Sequence, residues 1–218
     1  MSKKIALLGE KDNFFHALKD RLERAGAIFT HDSADADITV GLGQYATNDL
    51  VDVAIIAEND DPRSGNLDQI KNAGLIIRIH DLMIPEGSQG WGPIDVEDWV
   101  EWIRVESLDL TPEIKPKHWV HIRDTTDAVS LLVMADTDAF AQGVIDLCGR
   151  RAWTPDAVIS EINLLWHRFT NAITNSHTVE SLSGIPSPAA IQYEGKRLRP
   201  DLKPLHEAMQ NAGREEGW

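Results

Sequence analysis

The fold of this chain is decided by its opening stretch, Lys4-Ile5-Ala6-Leu7-Leu8-Gly9-Glu10-Lys11-Asp12-Asn13-Phe14-Phe15. A short apolar run that ends at a glycine is typical of a strand buried in a parallel sheet. Asp12 or Asn13 can then cap a helix that runs to Ala25, and Gly26 ends it. A strand that passes through a short turn into a helix begins a βαβ unit.

The rest of the chain alternates between strand and helix signals. The sequence predicts strands at 27–30, 37–42, 51–57, 75–79, 119–122 and 143–148, helices at 95–104, 125–134 and 156–172, and a last helix towards residue 213. A Pro/Gly-rich segment at 85–93 marks the point where the chain leaves the sheet. This order predicts an α/β fold with a mostly parallel sheet flanked by helices.

The turn after the first strand can be compared with the turns that bind dinucleotides. Those turns use three glycines, for the tight bend, for close approach of the pyrophosphate and for helix packing. The corresponding residues here are Gly9, Asp12 and Phe15. Asp32 lies about 20 residues after the glycine turn, where an acidic side chain can bind the adenine ribose. A solvated acidic loop accounts for Asp32 equally well. The candidate cofactor-binding residues are therefore Gly9, Asp12 and Asp32.

Electrostatics at this turn disfavours a cofactor phosphate. A carboxylate about 5 Å from a phosphate charge costs roughly 3 kcal/mol at an effective dielectric constant of about 20. The favourable interaction between a phosphate and the helix N-terminus is only about 0.3 to 2 kcal/mol. Glu10 adds a second negative charge beside Asp12, and Lys11 offsets part of it. We therefore predict that no cofactor binds here, with NAD binding as the alternative.

Composition excludes several classes of function. The formal net charge of -14, from 35 acidic and 21 basic side chains, disfavours nonspecific binding to nucleic acid or to anionic membranes. The single cysteine, Cys148, excludes an internal disulfide and a multi-cysteine zinc site, and its apolar surroundings predict a buried structural thiol. We see no signal peptide or membrane-spanning segment, so we expect a cytoplasmic protein.

Three segments carry a family resemblance: the opening unit 5–25, the strand and Gly/Pro loop at 76–87, and Trp119-Val120-His121-Ile122-Arg123-Asp124 before an apolar helix. In these segments the chain resembles the extended short-chain dehydrogenase/reductase superfamily, specifically the NAD-dependent nucleotide-sugar epimerases and dehydratases. The resemblance implies a Rossmann-like core at 1–84. It also implies that 85–218 continues this core and adds a reduced C-terminal lobe, in one compact domain.

The chemistry of that family requires a tyrosine four residues before a lysine, because the ammonium lowers the pKa of the phenol that exchanges the proton. The tyrosines of this chain are Tyr45 and Tyr193, which are followed four residues later by Asp49 and Arg197. The interval between 57 and 75 has room for only one short helix, which suggests that the segment with the pair is deleted. We therefore assign no catalytic residue.

The resemblance also implies that arginines bind the phosphates of a nucleotide-sugar. The candidates are Arg78, Arg123, Arg197 and Arg199, with surface ion pairs and a solvated basic tail as the alternatives. A metal site at His118, His121 and Asp124 is disfavoured, because the two histidines point to opposite faces of a strand. The resemblance implies that His121 and Asp124 have an architectural role.

Tryptophans are frequent in one region of the chain, at Trp91, Trp99, Trp102 and Trp119. They indicate core packing, a sugar-contacting pocket or a Trp-rich face that binds a protein partner or a second copy. Our interpretation is a shortened, degenerate epimerase-like pseudoenzyme that binds a nucleotide, a nucleotide-sugar or a protein. The alternatives are an active NAD(P)-dependent epimerase, dehydratase or reductase with unconventional residues, and an obligate protein-interaction subunit.

Overall fold

A computed structural model describes residues 2–48, 50–59, 62–85, 87, 89–92, 116–135, 143–182 and 199–218. The chain forms two compact units. The first comprises Met1–Pro93, Trp119–Gly149 and Arg199–Trp218, and the second comprises Ile94–His118 and Arg150–Leu198. The two units are interleaved along the chain, which twice leaves the first unit and returns to it. One compact domain with a boundary at residue 84 stays a prediction from the sequence.

The first unit is built on a six-stranded sheet in the order β2-β1-β3-β4-β5-β8. The strands of the chain are β1 (Lys4–Leu8), β2 (Ile28–Thr30), β3 (Ile38–Leu42), β4 (Val53–Ala57), β5 (Leu75–Ile79), β6 (Leu82–Met83), β7 (Val120–His121) and β8 (Gly143–Leu147). All neighbours in the six-stranded sheet are parallel. The short strands β6 and β7 form a separate parallel pair. The predicted mostly parallel, Rossmann-like α/β fold is confirmed.

The described helices are α1 (Asn13–Arg24), α2 (Ile122–Met134), α3 (Pro155–Thr174), α4 (Val179–Leu182) and α5 (Lys203–Asn211). The helix predicted at 95–104 lies outside the described residues. Helix α2 begins three residues earlier than predicted, because the His121 side chain accepts a hydrogen bond from the Arg123 amide at 3.1 Å and caps it. That cap also ends β7 at His121.

One face of the sheet carries the main hydrophobic core. Helices α1, α2 and α5 supply apolar side chains to it, among them Phe14, Leu18, Leu132 and Met209, all of which are essentially inaccessible to solvent. An ion pair between Arg21 and Asp127 links α1 to α2 on the surface.

The opposite face carries a smaller core made with short 3-10 segments. Its buried members are Ala46, Val51, Ala54 and Ile56. Between β4 and β5, where the sequence predicts room for one short helix, the chain forms two 3-10 turns, Pro62–Ser64 and Leu67–Gln69. Asn66 separates them and caps the second, since its side chain accepts a hydrogen bond from the Asp68 amide at 2.9 Å. This short connection holds the loop after β4 close to the sheet.

The second unit is described mainly by α3 and the residues just before it. Thr154 caps α3 by accepting a hydrogen bond from the Ala157 amide at 3.3 Å, and Asn175 ends the helix in the left-handed conformation. Lys117 and Trp153 form an antiparallel bridge, and the Arg151 guanidinium lies 4.0 Å from the Trp153 ring centroid. Within the described ranges, no helix has the length and apolar character needed to cross a bilayer.

Candidate functional site

The topology places a candidate ligand crevice at the carboxyl ends of β1 and β3. These strands are neighbours in the sheet, but β2 lies beyond β1 on one side and β4 lies beyond β3 on the other. Open α/β sheets bind ligands at such a reversal of strand order. The turns that border the crevice are residues 9–12 after β1 and the 3-10 segment Gly43–Thr47 after β3.

The start of α1, where a cofactor phosphate would bind, is occupied by acceptors from the chain itself. Asp12 is the N-cap, and its Oδ1 accepts a hydrogen bond from the Phe15 amide at 2.8 Å. The side-chain Oε1 of Gln89 accepts another from the Asn13 amide at 2.9 Å. Two of the amides that a helix start can offer to an anion are therefore already bonded.

Trp91 anchors the loop that reaches this helix start. Its indole Nε1 donates to Oδ2 of Asp12 at 2.7 Å, and its ring lies 4.4 Å from that of Phe14, centroid to centroid. Trp91 is 5% exposed, so it contributes almost no surface to a Trp-rich interface. The sequence predicts only a chain exit at this loop. No local pattern indicates that Gln89 or Trp91 would meet α1.

Gly9, the remaining glycine of the turn, is closely packed against its neighbours. A Cβ at this position would lie 3.0 Å from Leu42 Cβ and 3.2 Å from Phe15 Cδ2. Phe15, which stands where a dinucleotide turn has its third glycine, is itself buried against the core. A bulky side chain thus closes the space between the turn and the helix.

The carboxyl end of β3 is covered as well. Gly43 has φ +55, and a Cβ there would collide with the carbonyl oxygen of Arg63 in the loop after β4. Nε2 of Gln44, next in the chain, donates to Oε1 of Glu10 at 2.7 Å. The two turns that border the crevice are therefore bonded to each other across it.

Asp32, the candidate ribose ligand, lies just beyond the edge strand β2. Its Oδ1 accepts a hydrogen bond from the Ala34 amide at 2.9 Å and caps the 3-10 segment Ser33–Asp35. The residue is exposed. The structure therefore gives Asp32 a local capping role that needs no ligand.

A charged cluster that the sequence does not predict lies at the ends of β5 and β8. Arg78 donates to both oxygens of Asp146, from Nε at 2.6 Å and from Nη2 at 3.1 Å, and its Nη1 lies 3.5 Å from Glu58. Nε2 of His80 lies 2.7 Å from Asp146 Oδ1. Arg78, a candidate phosphate ligand, is thus engaged by two carboxylates of its own chain.

The cluster fixes the charge of its carboxylate. Burial by itself would raise the pKa of Asp146, but hydrogen bonds from His80 and Arg78, together with the charge of Arg78, outweigh burial and lower the pKa to about 2. The hydrogen bond to Asp146 likewise raises the pKa of Arg78. Both partners of this half-buried pair are therefore ionised at neutral pH.

Two of the other candidate arginines, Arg123 and Arg199, lie in different segments of the described chain. Arg123 lies exposed in the first turn of α2. Arg199 is half-buried, and its positive charge partly opposes the effect of burial on the pKa of the Cys148 thiol. Arg197 lies outside the described residues. Cys148 is buried, as predicted, and burial raises the pKa of its thiol to about 12. Its carbonyl oxygen accepts a hydrogen bond from the Trp218 indole at 2.9 Å.

The residues of the other sequence hypotheses are placed as follows. Tyr45 lies in the 3-10 segment after β3 and is 42% exposed, while Tyr193, Trp99 and Trp102 fall outside the described residues. His118 is buried, and Trp119 is half-buried. In the part of the chain that is described, His, Cys, Asp and Glu nowhere form a group of three that could hold a metal ion.

Comparison with known proteins finds likeness in structure alone. No protein-family model and no curated protein sequence matches the chain. A UDP-N-acetylglucosamine 4-epimerase from Bacillus cereus matches with a TM-score of 0.50 at 11% identity, over 78% of this chain and 82% of the epimerase. The capsular polysaccharide assembling protein CapF from Staphylococcus aureus also gives 0.50 at 11%, over 77% of this chain and 59% of CapF.

These likenesses concern the fold. The chain spans less than two thirds of CapF, and 11% identity transfers no residue role. Together with the parallel sheet, the comparison shows that this chain has an epimerase-like, Rossmann-type α/β fold.

Proposed function

We propose that this protein is a degenerate epimerase-like protein that acts by binding and does not transfer hydride. The observation that carries the proposal is the occupied start of α1. A dinucleotide would have to displace Gln89 Oε1 from the Asn13 amide and would meet the Asp12 carboxylate that bonds Phe15 and Trp91. Breaking the hydrogen bonds of Asp12 would leave its carboxylate and the Trp91 indole without partners at a partly buried position. This loss costs free energy of folding.

The missing proton-handling pair supports the same proposal. Tyr45 is followed four residues later by Asp49 and not by lysine. In the described residues of the connection between β4 and β5, which are 58–59 and 62–74, the chain forms two 3-10 turns and no α-helix on which such a pair could be spaced. Without a neighbouring ammonium to stabilise the phenolate, a tyrosine is a poor base at neutral pH.

A nucleotide-sugar is the first ligand class to test, since the Bacillus cereus protein of similar fold is a UDP-N-acetylglucosamine 4-epimerase. We propose that Arg123 and Arg199, together with Arg197, contribute to phosphate binding, because guanidinium groups suit phosphate oxygens. Arg78 is the weakest of the four candidates, because two carboxylates already engage it.

Thermal unfolding with added ligand tests the proposal. A ligand present at a hundredfold excess over its Kd stabilises the folded state by about 2.7 kcal/mol. We expect no change in melting temperature with millimolar NAD or NADP, and an increase with UDP or UDP-N-acetylglucosamine that Arg123→Ala or Arg199→Ala reduces. Arg24→Ala, which removes an exposed arginine paired with Asp20, is the control. Stabilisation by NAD that Asp32→Ala abolishes would overturn the proposal.

One observation favours the second candidate, catalysis by unconventional residues. Asp146 holds His80 by one ring nitrogen at the carboxyl end of β5, and an imidazole oriented in this way can move a proton at its other nitrogen. Proton NMR of UDP-N-acetylglucosamine incubated with the protein and NAD tests this candidate. Product formation that His80→Gln abolishes would establish it, and the absence of product would exclude this substrate.

A further inference from the structure

The apolar side chains of α3 are exposed along one stripe of the helix. Leu165, Phe169 and Ile173 are 52%, 53% and 63% exposed and follow one another at intervals of four. Trp166 lies on the same side, with its ring 5.6 Å from that of Phe169, and Ile162 is half-buried one turn earlier. We call these five residues the α3 stripe. A run of large exposed apolar groups on one helix face is typical of an interface.

Three residues of the α3 stripe, Ile162, Leu165 and Phe169, have the spacing of a coiled-coil seam. With Ile162 and Phe169 at the first position of successive heptads, Leu165 takes the fourth position, and Trp166 and Ile173 take the fifth. Glu161 and Arg168 then fall at equivalent positions, each directly before a seam residue. Among the described residues, neither of these two side chains forms an ion pair.

The charges of α3 are complementary to those of a second α3 that runs in the opposite direction. Asp156 and Glu161 lie in the first half of the helix, and Arg168 lies in the second half. Two antiparallel copies related by a two-fold axis would place each Glu161 beside Arg168 of the second copy, with Ile162 facing Leu165. A parallel pair offers no such contact, because Glu161 would then face Trp166.

We propose that α3 is a self-association surface, through which two copies of this chain pair by antiparallel packing of the α3 stripe and reciprocal Glu161 and Arg168 ion pairs. The contact is isologous, so the same patch serves both copies. Apolar burial supplies the affinity, while the ion pairs set the direction of pairing. This proposal does not depend on the proposed function, and a result for nucleotide or dinucleotide binding leaves it unchanged.

Sedimentation velocity of the whole protein over about a hundredfold range of concentration tests the proposal, since a single helix pair is smaller than a standard interface and should dissociate on dilution. We expect a monomer–dimer equilibrium that Phe169→Glu or Leu165→Asp abolishes. The matched control is Leu50→Asp, at a residue that is 66% exposed in the first unit and should leave the equilibrium unchanged. Circular dichroism verifies that each variant is folded.

Charge reversal tests the direction of pairing. Glu161→Arg alone and Arg168→Glu alone each create two repulsive contacts per dimer, and we expect either to weaken association at least about tenfold. The double variant restores both contacts, as does an equimolar mixture of the two single variants. Restoration in both cases is the expected result. A wild-type protein that stays monomeric throughout, or a dimer that Phe169→Glu does not affect, would overturn the proposal.

Discussion

The indole of Trp91 donates a 2.7 Å hydrogen bond to the carboxylate of Asp12, 79 positions earlier in the chain. The same carboxylate caps α1 through the Phe15 amide. One side chain thus starts the helix and holds the loop that covers its start. This double role makes Asp12 the residue on which the occupied crevice depends.

Replacing Asp12 should therefore cost more than the loss of an ordinary cap. Asp12→Ala removes the cap, for about 0.5 to 2 kcal/mol, and leaves the buried indole N–H unpaired, for about 1 to 3 kcal/mol. We expect a loss of about 1.5 to 5 kcal/mol in urea unfolding and a change in tryptophan fluorescence. Asp32→Ala is the control, because it removes an exposed cap that has no tryptophan partner. Equal losses for the two variants would contradict the argument.

The Arg78–Asp146 pair should make the protein less stable in acid. The pKa of Asp146 is lowered from 3.8 to about 2 in the folded protein, so its contribution is complete above about pH 4 and is lost as the pH falls towards 2. After discounting for partial exposure, we expect about 1 to 2 kcal/mol.

Urea unfolding of wild type and Asp146→Asn at pH 5 and pH 2.5 measures this contribution. The difference between the two proteins should shrink at the lower pH. At pH 2.5 the carboxyl of Asp146 is mostly protonated in the unfolded chain, where its pKa is 3.8, so folding must remove a proton to form the pair with Arg78. Asp20→Asn, at an exposed carboxylate 2.7 Å from Arg24, should differ little from wild type at either pH. A difference that stays constant between the two pH values would show that Asp146 acts through its shape and not its charge.

Cys148 should be unreactive in the native protein. It is fully buried, and burial raises the pKa of its thiol to about 12, so the thiolate that attacks alkylating agents is nearly absent at pH 8. We expect iodoacetamide to label the native protein at least about a thousandfold more slowly than the protein unfolded in urea. Native labelling at the rate of a free thiol would be inconsistent with this burial.

Two glycines allow a matched test of the loop that covers β3. Gly26, with φ +94, and Gly43, with φ +55, both have left-handed backbone conformations. A Cβ at Gly26 would have no atom within 4 Å. A Cβ at Gly43 would collide with the Arg63 carbonyl oxygen. Gly26→Ala should cost about 1 to 2 kcal/mol from backbone strain alone. Gly43→Ala should cost more than about 3 kcal/mol, because backbone must also move. Similar melting temperatures for the two variants would argue against close packing of the loop.

Local signals were enough to predict the α/β class of the fold, because they act over a few residues. The apolar run that forms β1, the Asp12 cap and the stop at Gly26 can each be recognised within one turn of chain. The start of α2 could not be placed correctly, since His121 is an uncommon cap and its role depends on a ring nitrogen that faces the Arg123 amide. The interleaved units could not be predicted either, because they depend on which distant segments return to the sheet.

The sequence by itself determined the parallel sheet, the acidic character of the first turn and the absence of a tyrosine–lysine pair, since these follow from residue types and their spacing. Only the tertiary structure decided that Gln89 and Trp91 occupy the start of α1, and that Arg78 pairs with Asp146. The physical reason is sequence distance. These contacts join residues 68 to 79 positions apart, and packing and sheet register alone bring such residues together.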